Sequence, residues 1–181
     1  AMAGIGLIGM LAVYPNPVSA LSMMGLGSYA QSATYIFTVV PMFILMGEFA
    51  LHSGVSRDLF TAANTWLGRL PGGIAVASVT GCAGFAAVSG DSMATAVTMS
   101  SVALPEMRKK DYEPGFACAT LAAGGTLGIL IPPSAGFIFF SLVTDVSIGR
   151  LFVAGILPGL LLASLFTLMV LIIANRNTTL A

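Results

Sequence analysis

The stretch VSGDSMAT, residues 88–95, decides how this chain folds. It places one carboxylate, two serines and a glycine between two long apolar runs. Because an ionisable group at membrane depth is costly, Asp91 needs either a partner or an aqueous pocket. Two interpretations fit the surrounding residues 72–104: one long span that bends here, or a hairpin that turns at Gly90.

Composition places the chain in a lipid bilayer. Hydrophobic residues make up 57% of its 181 positions and charged residues 8%, whereas a soluble domain carries about 25% charged residues. We expect an all-α membrane protein, because an open sheet would leave backbone groups unpaired in lipid. The zero net charge gives no indication of nucleic-acid binding. With one histidine and no metal-ligand spacing, Cys82 and Cys118 are expected to be small buried hydrophobes.

Positively charged residues favour the hairpin. In that interpretation the basic residues flanking the run share one face of the membrane; they are Arg57, Arg69, Arg108, Lys109 and Lys110. A single span would place the first two opposite the other three. Loops rich in Lys and Arg stay cytoplasmic, so we expect a re-entrant hairpin over 72–104 that enters from the cytoplasm. Its second arm, residues 93–104, is expected to end before Pro105, where the chain leaves the membrane.

Length and helix breakers organise the rest of the chain. Residues 1–13 make about 20 Å of helix, short of the about 30 Å of a bilayer, and we expect a span that lacks its beginning. Residues 33–52 are long enough to cross, and residues 150–174 form the last span. The expected regions are scaffold spans with an interfacial helix (1–70), a transport-type region (71–148), and a last span with a tail (149–181).

Several local features of the first half carry predictions. Ser56 is expected to cap the segment RDLFTAANTWLGRL, whose apolar stripe, terminal charges and tryptophan predict a helix at the membrane interface. Small residues recur every four positions from Gly73 to Gly81 and predict close helix packing. Glu48 and His52 are assigned to an interfacial position at a cytoplasmic span end.

Residues 113–144 are long enough to cross the bilayer but contain GGTLGILIPPS. Glycines weaken a helix, and two adjacent prolines end one. We therefore expect a broken helix whose first half ends near Gly125. Its second half is expected to begin near Pro133, with that proline and Ser134 in the first turn.

The two interruptions predict a site for charged solutes. Helix ends near Val88 and Gly125 present free carbonyl groups that suit a cation, and helix starts near Ser92 and Pro133 present free N–H groups that suit an anion. A sodium ion beside an anionic solute fits this arrangement. Two alternatives stay open: the glycines and prolines serve only packing and a kink, and Asp91 is only an N-cap rather than a ligand for Na⁺ or a proton.

The sequence SGDSMATAVTMSSVALPEMRKKDYEPGFACATLAAGGTLGILIPPS, followed by TDVSIGRLFVAGILPGLLL, resembles the large membrane subunit (DctM-like, the M subunit) of TRAP (tripartite ATP-independent periplasmic) transporters. The resemblance implies one half of an inverted-repeat elevator transporter in the bacterial inner (cytoplasmic) membrane, multi-pass and not an enzyme. It implies sodium-driven import of organic acids such as C4-dicarboxylates or sialic acids. A periplasmic substrate-binding protein would deliver the solute, and a small membrane subunit would brace the large one.

Family site residues carry over by position. The resemblance implies a Na⁺ site at Ser89, Gly90, Asp91, Ser92, Gly128, Ile131 and Pro133. It implies substrate contacts at Ser92, Thr95, Thr126 and Ser134. Many family members have a small hydroxyl residue where this chain has Asp91, whose ionised form would repel a substrate carboxylate. The family subunit is more than twice this length, so the alternative is a non-transporting truncated membrane fragment that pairs with itself. No span carries a nucleophile–base set, which argues against a membrane enzyme.

Overall fold

A computed structural model describes residues 35–177, without the side chains of 35–38, and before them positions 9, 16, 18, 22, 23, 25–27 and 29. The chain divides into two compact units, Ala1–Pro41 and Met42–Ala181. The expected first span, residues 1–13, falls almost entirely outside the described residues. Its existence therefore stays a prediction.

The described part of the chain is all-helical, as expected. Its helices are α1 (Tyr35–His52), α2 (Val55–Leu67), α3 (Gly73–Ser89), α4 (Ser92–Lys109), α5 (Pro114–Gly125), α6 (Leu127–Leu130), α7 (Ala135–Thr144) and α8 (Ile148–Arg176). Two segments within it are long and apolar enough to cross a membrane, Pro114–Thr144 and Ile148–Arg176. Val39–His52 and Val55–Leu67, bent by 61°, would make a third if they form one span.

Helices α3 and α4 form an antiparallel hairpin. The chain reverses at Gly90, whose φ of 61° is a left-handed conformation that glycine adopts without strain. The arms stay in contact away from the turn, because Ser78 Oγ lies 3.9 Å from Met107 Sδ. The prediction of a turn at Gly90 is confirmed. The expected end of the second arm is wrong, since α4 continues through Pro105 to Lys109.

Helix α2 packs along α3. A Cβ at Gly81 of α3 would lie 3.6 Å from the Cα of Phe60, and a Cβ at Gly84 would lie 3.3 Å from Cδ2 of Leu59. The small-residue packing predicted for Gly81 is therefore confirmed. Ser56 is not the cap, because Gly54 occupies the N-cap position and Ser56 is buried inside the first turn. A location of α2 at the membrane interface stays a prediction.

The broken helix has the form that its sequence predicts. Its first half, α5, ends at Gly125, and α6 adds one turn before residues 131–134 leave helical geometry. Pro133 is not in the first turn of the second half, because α7 begins at Ala135 with Ser134 as its N-cap. Helix α8 packs on this break, and Gly155 allows the approach, since a Cβ there would lie 3.1 Å from the Leu130 carbonyl oxygen.

Apolar side chains cover the exposed surface of α8. Leu157 is 76% exposed, and Val153, Leu160 and Leu161 are also exposed. A water-soluble protein rarely leaves such a contiguous apolar surface uncovered, whereas lipid tails solvate it without cost. The cysteine prediction holds only in part: Cys82 is buried, but Cys118 is exposed on α5.

Candidate site at the hairpin tip and the helix break

The hairpin tip is closed by its own polar groups. Asp91 is the N-cap of α4, and its Oδ1 accepts a hydrogen bond of 2.7 Å from the backbone N–H of Ala94. The N-cap interpretation of this aspartate is therefore confirmed. Its carboxylate is also exposed, so a second role as a cation ligand stays a prediction.

Two buried hydroxyl groups lock the turn from inside. Thr95 is fully buried, and its Oγ1 donates to the carbonyl oxygen of Asp91 at 2.7 Å. Ser89 Oγ lies 2.8 Å from the same Thr95 oxygen. Either hydroxyl can be the donor in this second bond, because Ser89 Oγ also lies 3.5 Å from the Asp91 carbonyl oxygen. These three residues therefore hold the end of α3 against the start of α4.

The hairpin tip and the helix break meet directly. The backbone N–H of Ala135, the first residue of α7, donates to the carbonyl oxygen of Gly90 at 3.1 Å. A Cβ at Gly90 would overlap the carbonyl oxygen of Pro133. A Cβ at Gly128 would lie 2.6 Å from the carbonyl carbon of Asp91. Both glycines thus permit a backbone-to-backbone approach that no side chain would allow.

Most of the residues predicted for a Na⁺ site are brought together by this contact. Gly90, Asp91, Gly128 and Pro133 touch through backbone atoms, as the preceding contacts show. Ser92 joins them, because its Cα lies 2.8 Å from a Cβ placed on Gly128. Ser89 lies at the same tip through its bond to Thr95. Ile131 lies on the other side of the break, where its side chain packs against Gly159 of α8.

The four residues predicted to contact substrate differ in burial and in whether their hydroxyl groups already form hydrogen bonds within the protein. Ser134 is fully buried; its Oγ donates to the Ile129 carbonyl at 2.7 Å and accepts from the Gly136 N–H at 3.2 Å. Thr95 is committed in the same way to the tip. Thr126 is exposed, with its hydroxyl donating to the Ala123 carbonyl at 2.7 Å. Three of the four hydroxyls therefore already donate to a backbone carbonyl, and two of these three, on Thr95 and Ser134, belong to buried residues.

The expectation of free N–H groups at the helix starts is partly wrong. The Gly90 carbonyl oxygen and Ser134 Oγ accept hydrogen bonds from the first two N–H groups of α7. Asp91 Oδ1 accepts one from the Ala94 N–H of α4. By contrast, no hydrogen bond to the carbonyl oxygen of Pro133 is found within residues 35–177. No group of three His, Cys, Asp or Glu side chains occurs in that range either. A cation here would bind backbone carbonyl and hydroxyl oxygens.

A cavity of about 340 Å³ opens beside the tip. Its walls include Phe43, Glu48, Asp91 and Phe139. Within the described residues 35–177, its lining includes two carboxylates and no basic side chain, a charge balance that attracts cations. Glu48 was not among the predicted site residues. Helix α1 reaches the tip at the neighbouring Gly47, where a Cβ would lie in ordinary contact, 3.5 Å, with the Ser89 carbonyl oxygen.

Comparison with known proteins gives a consistent result. A family model described as "Tripartite ATP-independent periplasmic transporter, DctM component" matches residues 1–181. The C4-dicarboxylate TRAP transporter large permease protein DctM of Pseudomonas aeruginosa is 36% identical over 171 residues, which cover 94% of this chain and 40% of that relative. The protein of the same name in Vibrio cholerae is 40% identical over 147 residues, 81% of this chain and 32% of the relative.

A third relative has a different solute in its name. The Ectoine/5-hydroxyectoine TRAP transporter large permease protein UehC of Ruegeria pomeroyi is 37% identical over 138 residues, which cover 76% of this chain and 32% of that relative. The chain thus spans 40% or less of the length of these three curated relatives.

Proposed function

Because the chain belongs to the DctM component family of tripartite ATP-independent periplasmic transporters, we propose that it contributes an ion and solute site to a sodium-coupled secondary transporter. The family is one of transporter permeases rather than enzymes. The proposed cargo is an organic acid of the C4-dicarboxylate or sialic-acid type. A periplasmic substrate-binding protein would deliver it, and a small membrane subunit would brace the permease in the bacterial inner membrane.

The backbone contact between tip and break carries this proposal. Interrupted helices expose peptide groups that lipid cannot satisfy, and they persist at membrane depth only inside protein or beside a watery cavity. Here the Gly90 carbonyl and the Ala135 N–H bond to each other at 3.1 Å. The Pro133 carbonyl, which accepts no hydrogen bond from residues 35–177, lies beside them. Paired broken helices of this kind suit the binding of small ions and charged solutes.

Sodium is the proposed coupling ion. Its ligands would be oxygens of the tip, Ser89–Ser92, and of the break at Gly128, Ile131 and Pro133. The carboxylates of Asp91 and Glu48 share one cavity wall beside this point. Two negative charges without a basic neighbour in that wall raise the local cation concentration. Asp91 would therefore favour the ion rather than the carboxylates of the solute.

Solute contacts are proposed at Ser92, Thr95, Thr126 and Ser134. Ser92 and Thr126 can accept a ligand without breaking a buried bond. Thr95 and Ser134 would act by fixing the two helix ends, since each hydroxyl already holds a backbone carbonyl. For alternating access, the region 71–148 would move as an elevator against scaffold residues 1–70, with the hairpin re-entering from the cytoplasm.

Solute uptake tests the proposal. The permease that carries this chain would be reconstituted with its small membrane subunit and supplied with the binding protein. We expect uptake of radiolabelled succinate or N-acetylneuraminate under an inward sodium gradient and none under potassium. Gly128→Leu should abolish uptake without preventing membrane insertion. Equal uptake in both salts, or normal uptake by Gly128→Leu, would contradict the proposal; a permease with no uptake at all would favour the non-transporting fragment.

A further inference from the structure

A second cavity lies at the opposite end of the hairpin from the tip. We call it the basal cavity; it has a volume of about 500 Å³, and the side chains that matter for its chemistry are Asn64, Arg69, Lys110 and Tyr112. The turn before α3 and the segment after α4 form it together. The 17 residues of α3 separate it from Gly90 by about 25 Å. It is therefore distinct from the ion and solute site, and its volume lies within the range of small-molecule pockets.

The basal cavity is lined by two basic side chains. Arg69 and Lys110 come from different turns, and both line it. Neither makes an ion pair among residues 35–177, whereas the neighbouring Lys109 is held by Glu106 at 2.6 Å. No acidic side chain of residues 35–177 lines the cavity. Two basic side chains that line one cavity favour an anionic ligand.

The start of α3 adds to this positive potential. Gly73 and Ile74 line the cavity, so the positive end of the helix dipole faces it. Tyr112 is also buried there. Burial raises the pKa of the Tyr112 phenol, so it stays neutral at physiological pH and adds no negative charge.

Apolar side chains beside the cavity indicate where the anion comes from. Leu70 lines the cavity and is 43% exposed. Trp66, near the end of α2 and next in the chain to the lining residue Thr65, is 85% exposed. Tryptophan beside basic residues is typical of the membrane–water interface, where anionic lipid headgroups attract Lys and Arg. A free phosphate in solution would gain nothing from these apolar neighbours.

We propose that the basal cavity binds the phosphodiester of an anionic phospholipid, with Arg69 and Lys110 holding the phosphate and Trp66 and Leu70 contacting the acyl chains. This lipid would anchor the base of the hairpin at the membrane surface while the tip remains free to bind its ion. The proposal requires that the hairpin is embedded in a bilayer, but it does not require that the chain transports a solute.

Trp66 provides the readout, because it is the single tryptophan of the sequence. Purified protein in nanodiscs would be titrated with phosphatidylglycerol or phosphatidylcholine carrying brominated acyl chains, which quench tryptophan fluorescence. We expect stronger quenching by phosphatidylglycerol. Arg69→Gln with Lys110→Gln should lower that preference by at least about fivefold, the contribution of one basic residue beside an anionic lipid. The charge-preserving pair Arg69→Lys with Lys110→Arg should retain most of it.

A matched control separates a defined site from general attraction. Arg108→Gln with Lys109→Gln removes the same charge from positions that do not line the cavity, and it should keep the preference for phosphatidylglycerol. Equal loss in both Gln pairs would overturn the proposal, as would equal quenching by the two lipids in the native protein. Inorganic phosphate that removes the preference at millimolar concentration would assign the cavity to free phosphate and overturn the lipid assignment. All of these measurements are independent of transport.

Discussion

Replacing Gly128 by alanine tests the contact between the tip and the break. A Cβ at this position would lie 2.6 Å from the carbonyl carbon of Asp91 and 2.8 Å from the Cα of Ser92. Both atoms belong to the backbone, so no side-chain rotation can relieve the overlap. The shorter of these two distances is about 0.9 Å below the lower end of ordinary carbon–carbon contact, about 3.5 Å. Helix α6 and the hairpin tip must therefore move apart by roughly that amount.

This displacement determines how far Gly128→Ala lowers the free energy of unfolding. Overpacking of a close contact costs about 1–3 kcal/mol. Gly84→Ala is the matched control, because its Cβ would meet only the flexible end of Leu59 at 3.3 Å. Alanine also favours a helix over glycine by about 1 kcal/mol, so the control should be neutral or stabilising. We expect Gly128→Ala to be less stable than Gly84→Ala by about 2 kcal/mol.

Unfolding of the detergent-purified proteins measures this difference. Unfolding the same samples in sodium and in potassium tests for ion binding. A ligand that binds only the folded state raises the free energy of unfolding. We expect sodium to stabilise the native protein and Gly84→Ala alike, and to have little effect on Gly128→Ala. If the two alanine variants unfold alike and respond equally to sodium, the tip and the break do not meet as described.

Three further substitutions test individual interactions. Thr95→Val removes a buried hydroxyl that joins two groups of the tip, and it should lower the free energy of unfolding by about 1–3 kcal/mol. Thr95→Ser keeps the hydroxyl and should be close to the native protein in stability. Equal stability of the two variants would contradict this expectation. Ser134→Ala removes a helix cap and should lower the free energy of unfolding by about 0.5–2 kcal/mol. Ser147→Ala should lower it little, because Ser147 caps α8 without a side-chain hydrogen bond. Thermal unfolding compares the two variants. Two N–H groups in the first turn of α5 lower the pKa of Glu113 from its ordinary 4.5. Its carboxylate therefore stabilises the fold above that value and ceases to do so as pH falls through the lowered pKa, so the difference in melting temperature between the native protein and Glu113→Gln should close in acid.

The interruptions could be predicted from the sequence because local chemistry dictates them. Gly90 tolerates the left-handed turn, and adjacent prolines cannot continue a helix. The predicted start of the second half-helix, near Pro133, was two residues too early. Ser134 forms the cap, so the first helical residue is Ala135. At Pro105 the local rule failed. Packing of Ala103 and Met107 in the core holds α4 helical across the proline, and such tertiary support is not visible in a local pattern.

Contacts between elements distant in sequence were the harder part. Glu48 was assigned to a membrane interface, but α1 brings it to the wall of the cavity that holds Asp91. The sequence also did not show that the hydroxyl groups of Thr95 and Ser134 form internal hydrogen bonds. A hydroxyl group beside a helix start can serve either as a cap or as a ligand contact. Gly155 and Gly159 were not among the predicted packing residues. Their role, to allow α8 to pack on the break, depends on the fold.

The most direct test of the central claim is the accessibility of the tip in two salts. Met93 follows the tip, is 73% exposed and is not among the proposed ligands. Met93→Cys would be labelled with a thiol reagent, and mass spectrometry would follow it separately from Cys118, which is exposed and serves as an internal standard, while Cys82 is buried. If the tip and the break enclose a sodium ion, sodium slows labelling at position 93 relative to potassium and leaves Cys118 unchanged. Equal labelling rates at position 93 in both salts would contradict the proposed ion site.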